Sequence, residues 1–148
     1  MRLRPTDTRV FLTKTDTTVG FVSQDADKLT RIKRRPPHKE YIVALNALRT
    51  LQRYTRVPKK HKNRIRRAKK TTFIVPNGRS FRIVKDPFHL LLLNRIEWGF
   101  TTSANLSGKP YDENFAKKSA DVVISPLMQN GTPSQILKLG KETIKRIR

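Results

Sequence analysis

The hydrophobic positions of this chain fall in short runs whose spacing alternates between two and nearly four residues, which predicts strands and helices in turn. "RVFLT" (9–13) reads as a strand, and "KTDTTVGFV" (14–22) as a hydroxyl-rich turn running into a second apolar stretch. Ser23 is placed to cap a short helix over 24–32. Pro36 and Pro37 forbid its continuation. Tyr41, Ala44, Leu45, Leu48 and Leu51 recur at helical spacing and predict a helix over 43–54. Two β-rich runs, 71–75 and 80–84, flank "PNGR", a hairpin signal. Asp86-Pro87 reads as a cap and first helical turn, with Phe88, Leu91, Leu92 and Ile96 sharing one face before Gly99. "GFTTS" (99–103) then reads as a strand, 112–118 as a short helix, 122–125 as a strand, and "PSQILKL" (133–139) as the last strand. Strands alternating with helices, with at least one hairpin, predict an α/β fold on a mixed sheet. At 148 residues, one domain over 1–148 is expected.

Composition narrows the function classes. Hydrophobic residues make up 36% of the chain, so the core is modest and the polar surface large. There is no cysteine, which excludes disulfides, thiolate metal sites and a cysteine nucleophile, and suits a cytoplasmic location. The first ten residues lack the apolar stretch of a secretory signal, and apolar runs such as 90–93 are far too short to span a bilayer. Lys plus Arg is 33 against 11 acids, a net charge of +22, which points to polyanionic partners, RNA or DNA ahead of membrane. The charge concentrates in "RYTRVPKKHKNRIRRAKK" (53–70), which has ten cations and no acid. It reads as a basic, flexible loop able to order on a phosphate backbone, through Lys59, Lys60, Arg64, Arg66, Arg67, Lys69 and Lys70.

The three histidines lie in unrelated segments without metal-ligand spacing, and neither a nucleophile elbow nor a Walker loop is present. No catalytic acid or base is assigned. Three polar stretches accompany predicted strands: Thr15-Asp16-Thr17-Thr18, Lys33-Arg34-Arg35 and Thr102-Ser103-Ala104-Asn105. Each taken singly is an ordinary turn or solvated cluster. Together they offer hydroxyl and amide donors beside fixed cations, a set suited to a nucleotide's phosphates. Nucleotidyl transfer fits such a site, because positioning and charge neutralisation supply most of its rate.

"IKRRPPHKEYIV" (32–43) and "TTSANLSGKP" (101–110) resemble the two signature blocks of the YrdC/Sua5-like family of threonylcarbamoyl-AMP synthases, in its short single-domain bacterial form. The family hallmarks are a Lys-x-Arg and a Ser-x-Asn pair, here Lys33, Arg35, Ser103 and Asn105. "KTDTTVGF", "TTFIVP", Arg82 and "GTPSQI" resemble further blocks in the same order. The chain departs from the pattern at Lys14, usually proline, at Val19, often aromatic, and at "RAKK" (67–70), which replaces a Trp-Pro-Gly-Pro block. The resemblance implies a twisted open α/β sheet flanked by helices, with a basic concave face. It implies ATP binding by Lys33, Arg35, Ser103 and Asn105, and a threonine side formed by Thr15, Arg82, Thr102 and Ser134. The implied reaction joins L-threonine, bicarbonate and ATP, with Mg2+ carried on the phosphates, into threonylcarbamoyl-AMP and pyrophosphate. The product serves a tRNA threonylcarbamoyl-transferase partner acting on the adenosine next to the anticodon. The net charge and the "RAKK" segment also support a second reading, a non-catalytic module that binds tRNA or double-stranded RNA. A ribosome-associated basic protein is a third.

Overall fold

The computed structural model describes residues 3–127 and 131–148. Among the described residues nine strands form one sheet: β1 (Phe11–Lys14), β2 (Val19–Ser23), β3 (Ile42–Leu45), β4 (Thr71–Ile74), β5 (Ser80–Ile83), β6 (Trp98–Ser103), β7 (Val122–Val123), β8 (Gln135–Leu139) and β9 (Ile144–Arg146). Their order across the sheet is β7-β1-β2-β6-β3-β5-β4-β8-β9. Pairing is mixed: β3 runs parallel to β5, while β6 is antiparallel to both β2 and β3. The helices are α1 (Ala26–Lys33), α2 (Leu48–Leu51), α3 (Lys62–Arg67), α4 (Pro87–Ile96) and α5 (Glu113–Ser119), with a 3-10 turn at Lys59–His61. No described helix is long and apolar enough to cross a membrane.

Strand alternation sorts the core onto two faces. Val43 and Leu45 pack with Leu51 of α2 and Ile65 of α3, and Leu12 and Phe21 pack with Leu29 of α1 and Ala116 of α5. The intervening residues Phe11, Val22 and Ala44 point the other way, against Leu92, Leu93 and Ile96 of α4. Four helices therefore cover one face of the sheet and α4 covers the other.

Several local expectations are corrected. The region expected as a helix over 43–54 divides into β3 and the four-residue α2. Val43, Ala44 and Leu45 are all buried, because β3 is central and covered on both faces, and a run buried on both sides carries no period-two signature. The cap of α1 is Asp25, whose carboxylate accepts from Lys28 N–H at 3.1 Å, while the Ser23 hydroxyl accepts from Asp25 N–H. In α4 the buried face is His89, Leu92, Leu93 and Ile96, and Leu91 is 69% exposed. Residues 135–139 are not the last strand, since β9 pairs with β8. The basic segment expected as a loop holds a 3-10 turn and α3, pinned by buried His61 and Ile65.

The hairpin expected at Asn77-Gly78 is the antiparallel pair β4–β5, with Gly78 at φ 88°, a conformation costly for any residue with a Cβ. Asp86 caps α4 by accepting from His89 N–H at 2.9 Å, with Pro87 in the first turn.

Candidate functional site

A cleft of about 360 Å3 opens at the end of the sheet where β6 finishes and β2 and β3 begin. Its volume falls in the ~300–1,000 Å3 range of small-molecule sites. Three segments supply one wall: the Thr15–Thr18 turn, Gly20 at the start of β2, and Thr101 to Ser103 at the end of β6. Arg35, Glu40, Tyr41 and Ile42 supply a second, and Arg82, Ser134 and Arg148 a third. Gly20 lets β2 and β6 close up here, since a Cβ would stand 2.7 Å from the Thr102 carbonyl oxygen.

The end of α1 sends two cations to different jobs. Arg34 takes the left-handed conformation at φ 51°, ending the helix. Before it, Lys33 is buried, and its Nζ donates to the backbone oxygens of Ser103 and Asn105, each at 2.7 Å, and to Asn105 Oδ1 at 3.3 Å. Burial pushes the Lys33 ammonium down to about 8, helped by the neighbouring Arg35 charge. Asn105 Oδ1 also accepts from the Ser103 hydroxyl, and its Nδ2 donates to the backbone oxygens of Leu106 and Lys109. Lys33 and Asn105 thus latch the 103–109 loop to α1 beside the cleft and are not among its lining residues.

Arg35 does line the cleft. Its guanidinium lies 4.5 Å from the centre of the Tyr41 ring, and its Nη2 donates to the Glu40 backbone oxygen at 2.8 Å. Its Nε–H is enclosed and has no hydrogen-bond partner.

Arg82, Thr15, Thr102 and Ser134 all reach the same cleft. Buried Arg82 pairs through Nε with the buried Asp16 carboxylate at 3.0 Å and donates through Nη1 to the Thr72 hydroxyl at 3.0 Å. Thr72 shares a 2.8 Å hydrogen bond with the Ser134 hydroxyl, which accepts from Arg148 Nη2 at 3.2 Å. Asp16 N–H donates to His89 Nδ1 at 3.3 Å, tying the turn to α4. Burial alone would raise the Asp16 carboxyl, but His89 and Arg82 outweigh it and hold the group below the usual carboxylate range. The Thr15 hydroxyl donates to the Thr18 backbone oxygen and accepts from Thr17 N–H at 3.2 Å, bracing its own turn.

Six of the eight small-molecule residues proposed from sequence therefore line one cleft, and the other two form the latch at its edge. His89 and Tyr41 escape sequence reasoning as site components, and Asp16 enters it only as part of the Thr15–Thr18 stretch. Asp16 stands in the sequence only as one acid among the hydroxyls of "TDTT", and the spacing of Tyr41 points to a helix face.

The basic residues lie apart from this list. Lys59, Lys60, Arg64, Arg66, Arg67, Lys69 and Lys70 are all exposed. Lys69 and Lys70 border a smaller hollow of about 250 Å3 with Asp16, Lys85, Asp86 and Pro87.

A mixed sheet carrying a cleft of hydroxyls and guanidiniums at its strand ends defines an α/β domain with a polar cleft. Residues 6–148 match the Sua5/YciO/YrdC family, whose description reads "Telomere recombination", and the chain belongs to that family. A curated relative, uncharacterized protein MG259 of Mycoplasma genitalium, is 28% identical over 147 residues, 91% of this chain and 31% of its own. The fold is similar to that of Sua5 from P. abyssi complexed with L-threonine, at TM-score 0.79 and 18% identity, over 95% of this chain and 50% of that one. It is also similar to full-length HypF in its phosphate- and nucleotide-bound form, at TM-score 0.73 and 18% identity, over 95% of this chain and 26% of that one. The chain thus spans about a third of the curated relative and half of the Sua5 chain.

Proposed function

We propose that the cleft binds ATP and L-threonine together and forms threonylcarbamoyl-AMP. The observation that carries this reading is the convergence of Thr15, Arg35, Arg82, Thr102, Ser103 and Ser134 on a single hollow from distant parts of the chain. Arg35 would meet the nucleotide phosphates with its guanidinium, with the Ser103 hydroxyl beside it in the cleft. Lys33 and Asn105 would hold the loop that carries Ser103. Arg82, neutralised in part by Asp16, suits the carboxylate of a zwitterion, with the hydroxyls of Thr15, Thr102 and Ser134 beside it. Likeness to a threonine complex and to a nucleotide-bound protein supports both halves. Mg2+ would enter on the nucleotide's own phosphates.

In this reading the threonine amine takes up bicarbonate as a carbamate with loss of water. A carbamate oxygen then bonds to the α-phosphorus as pyrophosphate leaves. The cleft's contribution is orientation and charge neutralisation at the phosphates. Purified protein given Mg-ATP, threonine and bicarbonate should release pyrophosphate only when threonine is present, and Lys33→Ala or Asn105→Ala should abolish that release. ATP binding without threonine-dependent pyrophosphate would reject catalysis. A second reading, binding of tRNA or double-stranded RNA without chemistry, is favoured by one observation: the exposed cations of 59–70 ride on an ordered, core-anchored segment.

A further inference from the structure

We propose that Tyr41 is a positioning residue that holds Arg35 ready for an oxyanion of a polyphosphate ligand; this rests on the nucleotide reading above. The Tyr41 ring is itself held on several sides. It is buried, its hydroxyl shares a 2.9 Å hydrogen bond with Thr30 of α1, and its ring lies 6.3 Å from Phe100, which meets Trp98 edge-on at 5.3 Å. The ring is thus anchored both to the helix that ends at Lys33 and to the aromatic row on β6.

Arg35 rests on that platform at 4.5 Å, a cation–π distance, and the Glu40 carbonyl takes one of its terminal N–H groups. Those two contacts fix the plane of the guanidinium. The guanidinium so held belongs to a side chain that lines the cleft. A ligand oxygen that meets this guanidinium in the cleft therefore binds a group already aligned. An arginine left to rotate would lose far more freedom on binding, which corresponds to about tenfold in affinity.

The test is a binding titration of Mg-ATP, and separately of inorganic tripolyphosphate, with wild type, Tyr41→Phe, Tyr41→Leu, Arg35→Ala and Arg35→Ala/Tyr41→Leu. Nitrogen-15 NMR of the Arg35 Nε–H in the ligand-free proteins accompanies it. The expected result is about a tenfold loss for both ligands in Tyr41→Leu, with Tyr41→Phe within about threefold of wild type because the ring face is kept. In the Arg35→Ala background, Tyr41→Leu should cost nothing further, since its effect passes through Arg35. The Nε–H signal should be shifted upfield by the ring in wild type and Tyr41→Phe and lose that shift in Tyr41→Leu. Additive losses in the double variant, or an Nε–H signal indifferent to Tyr41→Leu, overturn the proposal. Tripolyphosphate binding without ATP binding removes the nucleotide reading and leaves Tyr41's role standing. Binding of neither ligand to wild type removes both.

Discussion

Asp16 and Arg82 show how one buried pair serves both stability and site. Each side chain is almost wholly enclosed, and the carboxylate belongs to the turn that carries Thr15 and Thr17. Removing one member leaves the other as an uncompensated buried charge, which costs more than the pair itself contributes. Asp16→Ala should lower stability by about 3–5 kcal/mol, measured by urea unfolding. The pH dependence has a definite sign. Asp16 is held below its unfolded value of about 3.9, so its contribution is complete above that pH and disappears as pH falls through the lower folded value. The wild-type stability curve should therefore fall more steeply with acidification below about pH 4 than the variant's. Parallel acid limbs would show that Arg82 does not depend on Asp16.

At the scale of elements, α3 is the instructive case. Six residues with four cations make a poor isolated helix, and a helix this short is marginal without tertiary support. Ile65 supplies that support by packing into the cluster of Leu51, Phe73 and Phe81, and His61 adds a 3.0 Å hydrogen bond between Nε2 and the Gly140 backbone oxygen. Anchor and charged face are thus separable by mutation. Ile65→Ala should cost about 2–4 kcal/mol in thermal or urea unfolding, whereas Arg64→Glu, Arg66→Glu or Arg67→Glu should each stay within about 0.5 kcal/mol of wild type. Equal effects at Ile65 and its arginine neighbours would mean that the helix is not anchored in this way.

The whole molecule carries 33 cations against 11 acids, and the exposed cations of 59–70 sit on an ordered segment. If this surface grips RNA, log affinity should fall steeply and linearly with log salt, because each neutralised phosphate releases condensed counterions. Reversing Arg64, Arg66 and Arg67 together should flatten that slope by about 0.7–0.9 for each phosphate no longer neutralised, read from filter-binding or anisotropy titrations of a short RNA duplex. Pyrophosphate release should be unaffected, since none of the three lines the cleft. Unchanged RNA binding in the triple variant would assign the interface elsewhere.

Signals carried by adjacent residues are legible in the sequence. The β4–β5 hairpin follows from Asn77-Gly78 because a tight turn is a local event, and α4 begins where Asp86-Pro87 says, because capping involves only the first turn. The charge of the 59–70 segment and the hydroxyls of residues 101–103 are equally plain. Partners distant along the chain are not legible. The 43–54 region shows helical spacing, yet β3 is a strand because its neighbours β5 and β6 draw it into the middle of a sheet covered on both faces. Ile65 gives no sign that Leu51 and Phe73 hold it. That Arg35 lies on Tyr41, that Arg82 meets Asp16 across 66 residues, and that Lys33 reaches Asn105 across 72 are decided only when the sheet brings those segments together. Sequence alone determined the chemistry available to this protein, because residue types and near neighbours are written there. The fold decided which of those groups meet, because burial and ion pairing depend on distance in space, to which separation along the chain is no guide.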